Sequence, residues 1–112
     1  MPATAFSDLH VSGLRAARAA GLAAARGEAA AATLRYAEAA GLQERAAEGL
    51  AEGPLRRRLI LDAAWLWLRA ERSWEVARLA AALEGSALSA SERSRLREIL
   101  LRAFPRPDGP LH

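Results

Sequence analysis

Residues 59–68 read Leu-Ile-Leu-Asp-Ala-Ala-Trp-Leu-Trp-Leu, with Asp62 the single charge. A bilayer span needs about 20 apolar residues, so this run is too short to cross a membrane. As a helix it is apolar on every side. A surface helix needs one apolar stripe, whereas a helix that is apolar all round must be covered on two or more faces. The run is therefore the middle of a helix stack, part of a partner interface, or both.

Alanine decides what surrounds it. The chain has 29 alanines and 18 leucines in 112 residues. Alanine is the strongest helix former and lets helices approach closely, but it buries little area. The expectation is an all-α fold of four to five antiparallel helices, arranged as stacked helical hairpins or a small bundle. Residues 1–104 are read as one domain, a length that supports one modest core. Residues 105–112, Pro-Arg-Pro-Asp-Gly-Pro-Leu-His, cannot continue a helix and are read as a flexible tail.

The punctuation of the chain places the helices. Ser7 or Asp8 is expected to cap the first helix, which runs to about Arg26 before Gly27. Val11, Leu14, Leu22 and Ala25 form its apolar face, and Arg15, Arg18 and Arg26 its wet side. The second helix starts at Glu28 and either ends near Ala40, before Gly41, or continues through 43–51. Gly53-Pro54 is the firmest boundary, since Pro suits the first helical position. The third helix spans about 54–71 and the fourth, capped by Ser73, spans 74–84. Ser89-Ala90-Ser91-Glu92 is a capping box that opens a fifth helix over 90–104, with an apolar stripe of Leu96, Ile99, Leu100, Ala103 and Phe104.

Two of these hairpins resemble the tetratricopeptide repeat, a pair of antiparallel helices with small residues where they cross. In the first, Ala16, Ala19, Ala20 and Ala23 occupy first-helix slots. Gly27 sits at the turn, and Ala32, Tyr36 and Ala39 follow in the second helix. In the second, Leu61, Ala64, Trp65 and Leu68 precede Trp74, Ala77 and Ala81. The copies are offset by 45 residues rather than the family's 34, and neither has its closing proline. The resemblance implies protein or peptide binding.

All 16 basic residues are Arg, and the net charge is +3. The excess lies in the second half: residues 1–53 carry 5 Arg and 6 acids, residues 54–112 carry 11 Arg and 7 acids. Arg56, Arg57 and Arg58 fall in the first turn of the third helix, where the dipole disfavours cations. Their charge is met either by Glu48 and Glu52 folding back, or by a bound anion. Arg93 and Arg97 of the fifth helix could join them in a basic patch, although no aromatic residue interleaves it for base stacking. Asp62 on a covered helix needs a partner, either an arginine or a helix-end amide of this chain, or a group on a ligand or second chain.

Signals for chemistry are weak. Cysteine is absent, and no nucleophile motif or phosphate-binding glycine loop appears. His10 and His112 have no acidic partner at metal-ligand spacing and read as surface residues. Glu44, Glu48 and Glu52 share one helical face, which is ordinary for a solvated surface. The expectation is a non-enzymatic protein–protein interaction module, cytoplasmic and self-associating, with no cofactor. Its surface would use the exposed members of Trp65, Leu66, Trp67 and Leu68, because Trp and Arg are the usual anchors of interfaces. At least one of Trp65 and Trp67 is expected to be buried only against a second chain. The alternative is a nucleic-acid-associated or regulatory protein using Arg56–Arg58 and the fifth helix.

Overall fold

Among the described residues five helices follow one another with short connections: α1 (Ala3–Ala25), α2 (Ala29–Glu48), α3 (Pro54–Arg69), α4 (Ser73–Leu83) and α5 (Ala90–Ala103). The computed structural model describes residues 3–105, with residues 3–6 as backbone only. Residues 106–112, including His112 and most of the expected tail, lie outside the described residues. The described chain is all-α, and no helix in it is long and apolar enough to cross a membrane.

The helices form two layers. α2 packs on both α1 and α3, and α3 also packs on α4 and α5. The Glu44–Arg78 pair joins α2 to α4, and the Asp62–Arg95 pair joins α3 to α5. Odd-numbered helices thus share one layer and even-numbered helices the other. The thinnest dimension, 20 Å, is two helices deep.

α3 is the hub that its composition requires. Within 59–68, Leu59, Leu61, Ala63, Ala64, Leu66 and Trp67 are buried, and Ile60, Asp62, Trp65 and Leu68 are half-buried. The largest fully enclosed side chains, Leu59, Leu61, Val76, Leu83 and Ile99, all belong to α3–α5. The bulky core therefore lies in the second half of the chain.

α1 and α2 pack by another rule. α1 turns Gly13, Ala16, Ala20 and Ala23 inward, and α2 buries Ala32, Ala39, Ala40, Gln43, Ala46 and Ala47. The seam is close: a Cβ on Gly13 would sit 2.9 Å from the Gln43 side-chain nitrogen. This reverses the expected face of α1. Val11, Leu14 and Leu22 point outward, on the side that carries Arg15 and Arg18. Small residues spaced three and four apart let two backbones meet along their length, and larger residues on α1 cannot enter that seam.

Several boundaries also differ from the sequence reading. α1 begins at Ala3, so Ser7 and Asp8 lie inside it rather than capping it. Gly41 does not break α2, because the buried face continues through Gln43, Ala46 and Ala47. Gly27, at φ +76°, closes α1 with two backbone bonds, from its own N–H to Ala24 and from Glu28 N–H to Ala23. The same pair of bonds closes α3, from Glu71 N–H to Leu68 and from Arg72 N–H to Trp67, but here Glu71 takes the left-handed position at φ +60°. That turn puts Arg72, not Ser73, at the start of α4, with no side-chain cap. The capping box on α5 forms as expected: Ser89 Oγ accepts from Glu92 N–H at 3.1 Å, and Glu92 accepts from Ser89 N–H at 2.8 Å.

Candidate functional site

Of the four apolar residues expected at an interface, two are enclosed by this chain alone. Trp67 is only 8% exposed, and its indole N–H donates to Glu44 Oε2 at 2.6 Å. Leu66 is buried beside it in the same core. Trp65 and Leu68 are the half-buried members. Trp65 lies under the Arg102 guanidinium, 5.6 Å from the ring centre. Leu68 borders a recess of about 400 Å³ between the α1–α2 turn and the end of α3. The expectation that one tryptophan needs a second chain for burial is thereby confined to Trp65.

Trp65 faces Leu14. Together with Ala17, Gln43, Asp62 and Leu66 they line a cleft of about 180 Å³ between α1 and α3. Leu14 is 53% exposed, and Val11 and Leu22 continue the same outer face of α1. Exposed apolar side chains therefore lie along α1, interspersed with Arg15 and Arg18, and reach the cleft beside Trp65 through Leu14. Single surface leucines are common, but several on one face beside a half-buried tryptophan are the kind of surface that partners cover.

The basic residues do not form one patch. Arg57 is taken up internally: its Nη1 donates to Glu52 Oε1 at 2.8 Å, and its Nε to Glu92 Oε1 at 3.2 Å. The bond to Glu52, and then the neighbouring Glu92, raise the Arg57 pKa above its ordinary value. Glu92 is held below the usual carboxylate range, first by the Ser89 backbone N–H and then by Arg57. Arg56 donates to the Leu50 carbonyl at 3.0 Å. Of the two acids expected to fold back, Glu52 does so, while Glu92 of α5 takes the place of Glu48. The reason is tertiary: α5 starts beside the first turn of α3, and its capping glutamate also accepts from Arg57 Nε, through both carboxylate oxygens.

Arg58 is exposed and borders a recess with Ser91 and Arg95. Asp62 finds its partner within the chain, Arg95 Nη2 at 2.8 Å. The row of glutamates is dispersed: Glu44 binds Trp67 and Arg78, Glu52 binds Arg57, and Glu48 is exposed. Among the described residues no cluster of His, Cys, Asp or Glu is placed to hold a metal. His10 Nδ1 lies 3.1 Å from Gln43 Oε1, which ties α1 to α2.

Arg93 and Arg97 sit elsewhere, on the outer side of α5. They border a groove of about 660 Å³ that is also lined by Leu88, Leu96, Leu100, Leu101 and Phe104. Leu101 and Phe104 are 44% and 47% exposed. Neither arginine makes an ion pair among the described residues, and Glu98 is engaged by Arg102 at 3.1 Å. The sequence stripe of α5 gave the buried residues Leu96 and Ile99, but it also counted Phe104, which the structure leaves 47% exposed. The signal for this second apolar side was Leu101, which the stripe did not include.

No protein-family model matches the chain, and neither a curated protein nor a solved structure matches it.

Proposed function

We propose that the protein is a non-catalytic helical interaction module that self-associates through the outer face of α1 and the adjoining Trp65 cleft. One observation carries the reading: α1 buries its alanines and leaves Val11, Leu14 and Leu22 in water beside a half-buried tryptophan. A second copy would cover this face and enclose the remaining edge of Trp65, and large apolar and aromatic residues are the groups that anchor such contacts. The layered hairpins with alanine crossings are similar to the tetratricopeptide-repeat arrangement, and that likeness supports binding as the role.

Light scattering over a concentration series tests it. The expected result is a dimer or larger species at micromolar concentration, and a monomer of unchanged helicity for Leu14→Glu/Leu22→Glu. A parent chain that stays strictly monomeric overturns self-association. The nucleic-acid alternative draws on Arg58, Arg93 and Arg97, exposed arginines without an ion pair among the described residues. It requires a salt-sensitive mobility shift with generic DNA or RNA that Arg93→Ala/Arg97→Ala removes.

A further inference from the structure

The geometry points to a second, separate docking surface: the groove along the outer side of α5 receives an acidic amphipathic helix of a partner protein. This rests on the reading of the chain as an interaction module, but it uses none of the residues of the α1 face.

Three observations lead to it. The first is topological. α3 packs on α2, α4 on α3, and α5 on both α3 and α4. Among the described residues no helix packs on the outer side of α5, and it is apolar where one would rest: Leu96, Leu100, Leu101 and Phe104 line it. The groove is open rather than a closed cavity for a small molecule. A side chain row at i, i+3, i+4 and i+7 of a helix is the shape that fills such a trough.

The second observation is from the sequence. Pro105, Pro107 and Pro110 follow Phe104. Proline lacks the N–H and clashes with the preceding turn, so this stretch does not read as a helix that would continue the stack.

The third is charge. Arg93 and Arg97 are one turn apart on the groove wall and hold no carboxylate among the described residues, whereas most other arginines of α3–α5 are engaged: Arg57, Arg78, Arg95 and Arg102 all form ion pairs. The lining includes one acid, Glu84. Two guanidiniums flanking an apolar floor are complementary to a helix with leucines on one face and glutamates beside them. A second copy is a poor occupant. Its exposed apolar face on α1 carries Arg15 and Arg18, and its own α5 groove carries Arg93 and Arg97, so either would bring like charge against Arg93 and Arg97.

Fluorescence anisotropy with the full chain tests the assignment. The probe is a labelled peptide of about 16 residues, long enough to hold a helix, with leucines on one face and glutamates flanking them. Its control has lysine at every glutamate. The glutamate peptide should bind at least about tenfold more tightly than the lysine peptide, and added salt should narrow the gap. Arg93→Glu/Arg97→Glu should reverse the order of the two peptides, and Phe104→Ser should weaken both. The reversal is a readout that misfolding cannot imitate. Equal binding of the two peptides, no binding of the glutamate peptide, or an order untouched by the charge reversal would overturn the proposal. Displacement of the peptide by a single-stranded oligonucleotide, with no effect of Phe104→Ser, would assign the arginines to a nucleic acid instead. A change in the light-scattering mass on Arg93→Glu/Arg97→Glu would assign the groove to a second copy. The Leu14→Glu/Leu22→Glu variant separates the two proposals, because it should lose self-association and keep peptide binding.

Discussion

The reversed face of α1 has a direct energetic consequence. Ala20 is fully enclosed in the seam with α2, while Leu14, on the same helix, is 53% exposed. Ala20→Leu adds three carbons at a fully enclosed position where α1 and α2 meet through alanines. Overpacking of a close-packed interior costs about 1–3 kcal/mol, and a seam closed by alanines belongs at the upper end. A domain of this length has a total stability of about 6–17 kcal/mol, so the loss is a large share of it. Leu14→Ala removes a side chain already half in water. Full burial of a leucine is worth about 1.5–3 kcal/mol, so less than about 1.5 kcal/mol is at stake, and alanine's higher helix propensity offsets part of that. Urea unfolding followed by far-ultraviolet circular dichroism, at a concentration where the chain is monomeric, compares the two variants. The expected order is a strong loss for Ala20→Leu and a small one for Leu14→Ala. An ordinary amphipathic α1 with its leucines inside would give the opposite order, with about 2–5 kcal/mol lost on Leu14→Ala. That outcome would refute the orientation, and the α1 binding face with it.

Two further substitutions follow from local geometry. Glu71 holds a left-handed backbone conformation, φ +60°, at the end of α3, which costs a residue with a Cβ about 1–2 kcal/mol. Glu71→Gly should therefore raise the urea midpoint, by about 1 kcal/mol of stability, and an unchanged or lower midpoint would contradict the turn. Glu92 is held below its ordinary value of 4.5 when folded, so the folded chain binds its proton less readily than the unfolded chain. Its contribution is fully present above that ordinary value and is lost as the pH falls below it. Glu92→Gln should lower stability at neutral pH and flatten the decline on the acid side, and an acid limb identical to the parent would remove Glu92 as a cause.

Much of the secondary structure was legible because its determinants are local. Gly53-Pro54 and the Ser89–Glu92 box mark helix starts by their own backbone chemistry, and both are where the sequence put them. The continuity of α2 through Gly41 was not legible. One glycine costs a helix about 1 kcal/mol, and only the packing of α2 on both α1 and α3 decides whether that is tolerated. The end of α3 was missed for the opposite reason. Ala70-Glu71-Arg72 contains no glycine, and the bonds that close the helix force Glu71 into a place that glycine would ordinarily take. The α5 groove was half legible: the stripe of Leu96 and Ile99 marks the buried side, but the uncovered side could be recognised only once α5 was the edge of the stack.

By itself the sequence determined the all-α class, the approximate extents of the helices and the central place of α3. These follow from propensity, capping and the all-round hydrophobicity of 59–68, which act within a few residues or demand cover whatever the neighbours are. Tertiary structure decided which side of each helix faced inward. Alanine and leucine both count as apolar in a periodic pattern, so α1 carried two possible faces, and the shape of its partner α2 selected the thinner one. The same step enclosed Trp67, left Trp65 at an edge, engaged Arg57 with Glu92 and set Arg93 and Arg97 apart. Whether a residue is core or surface depends on what lies against it, and that is a property of pairs of helices that no single stretch of sequence contains.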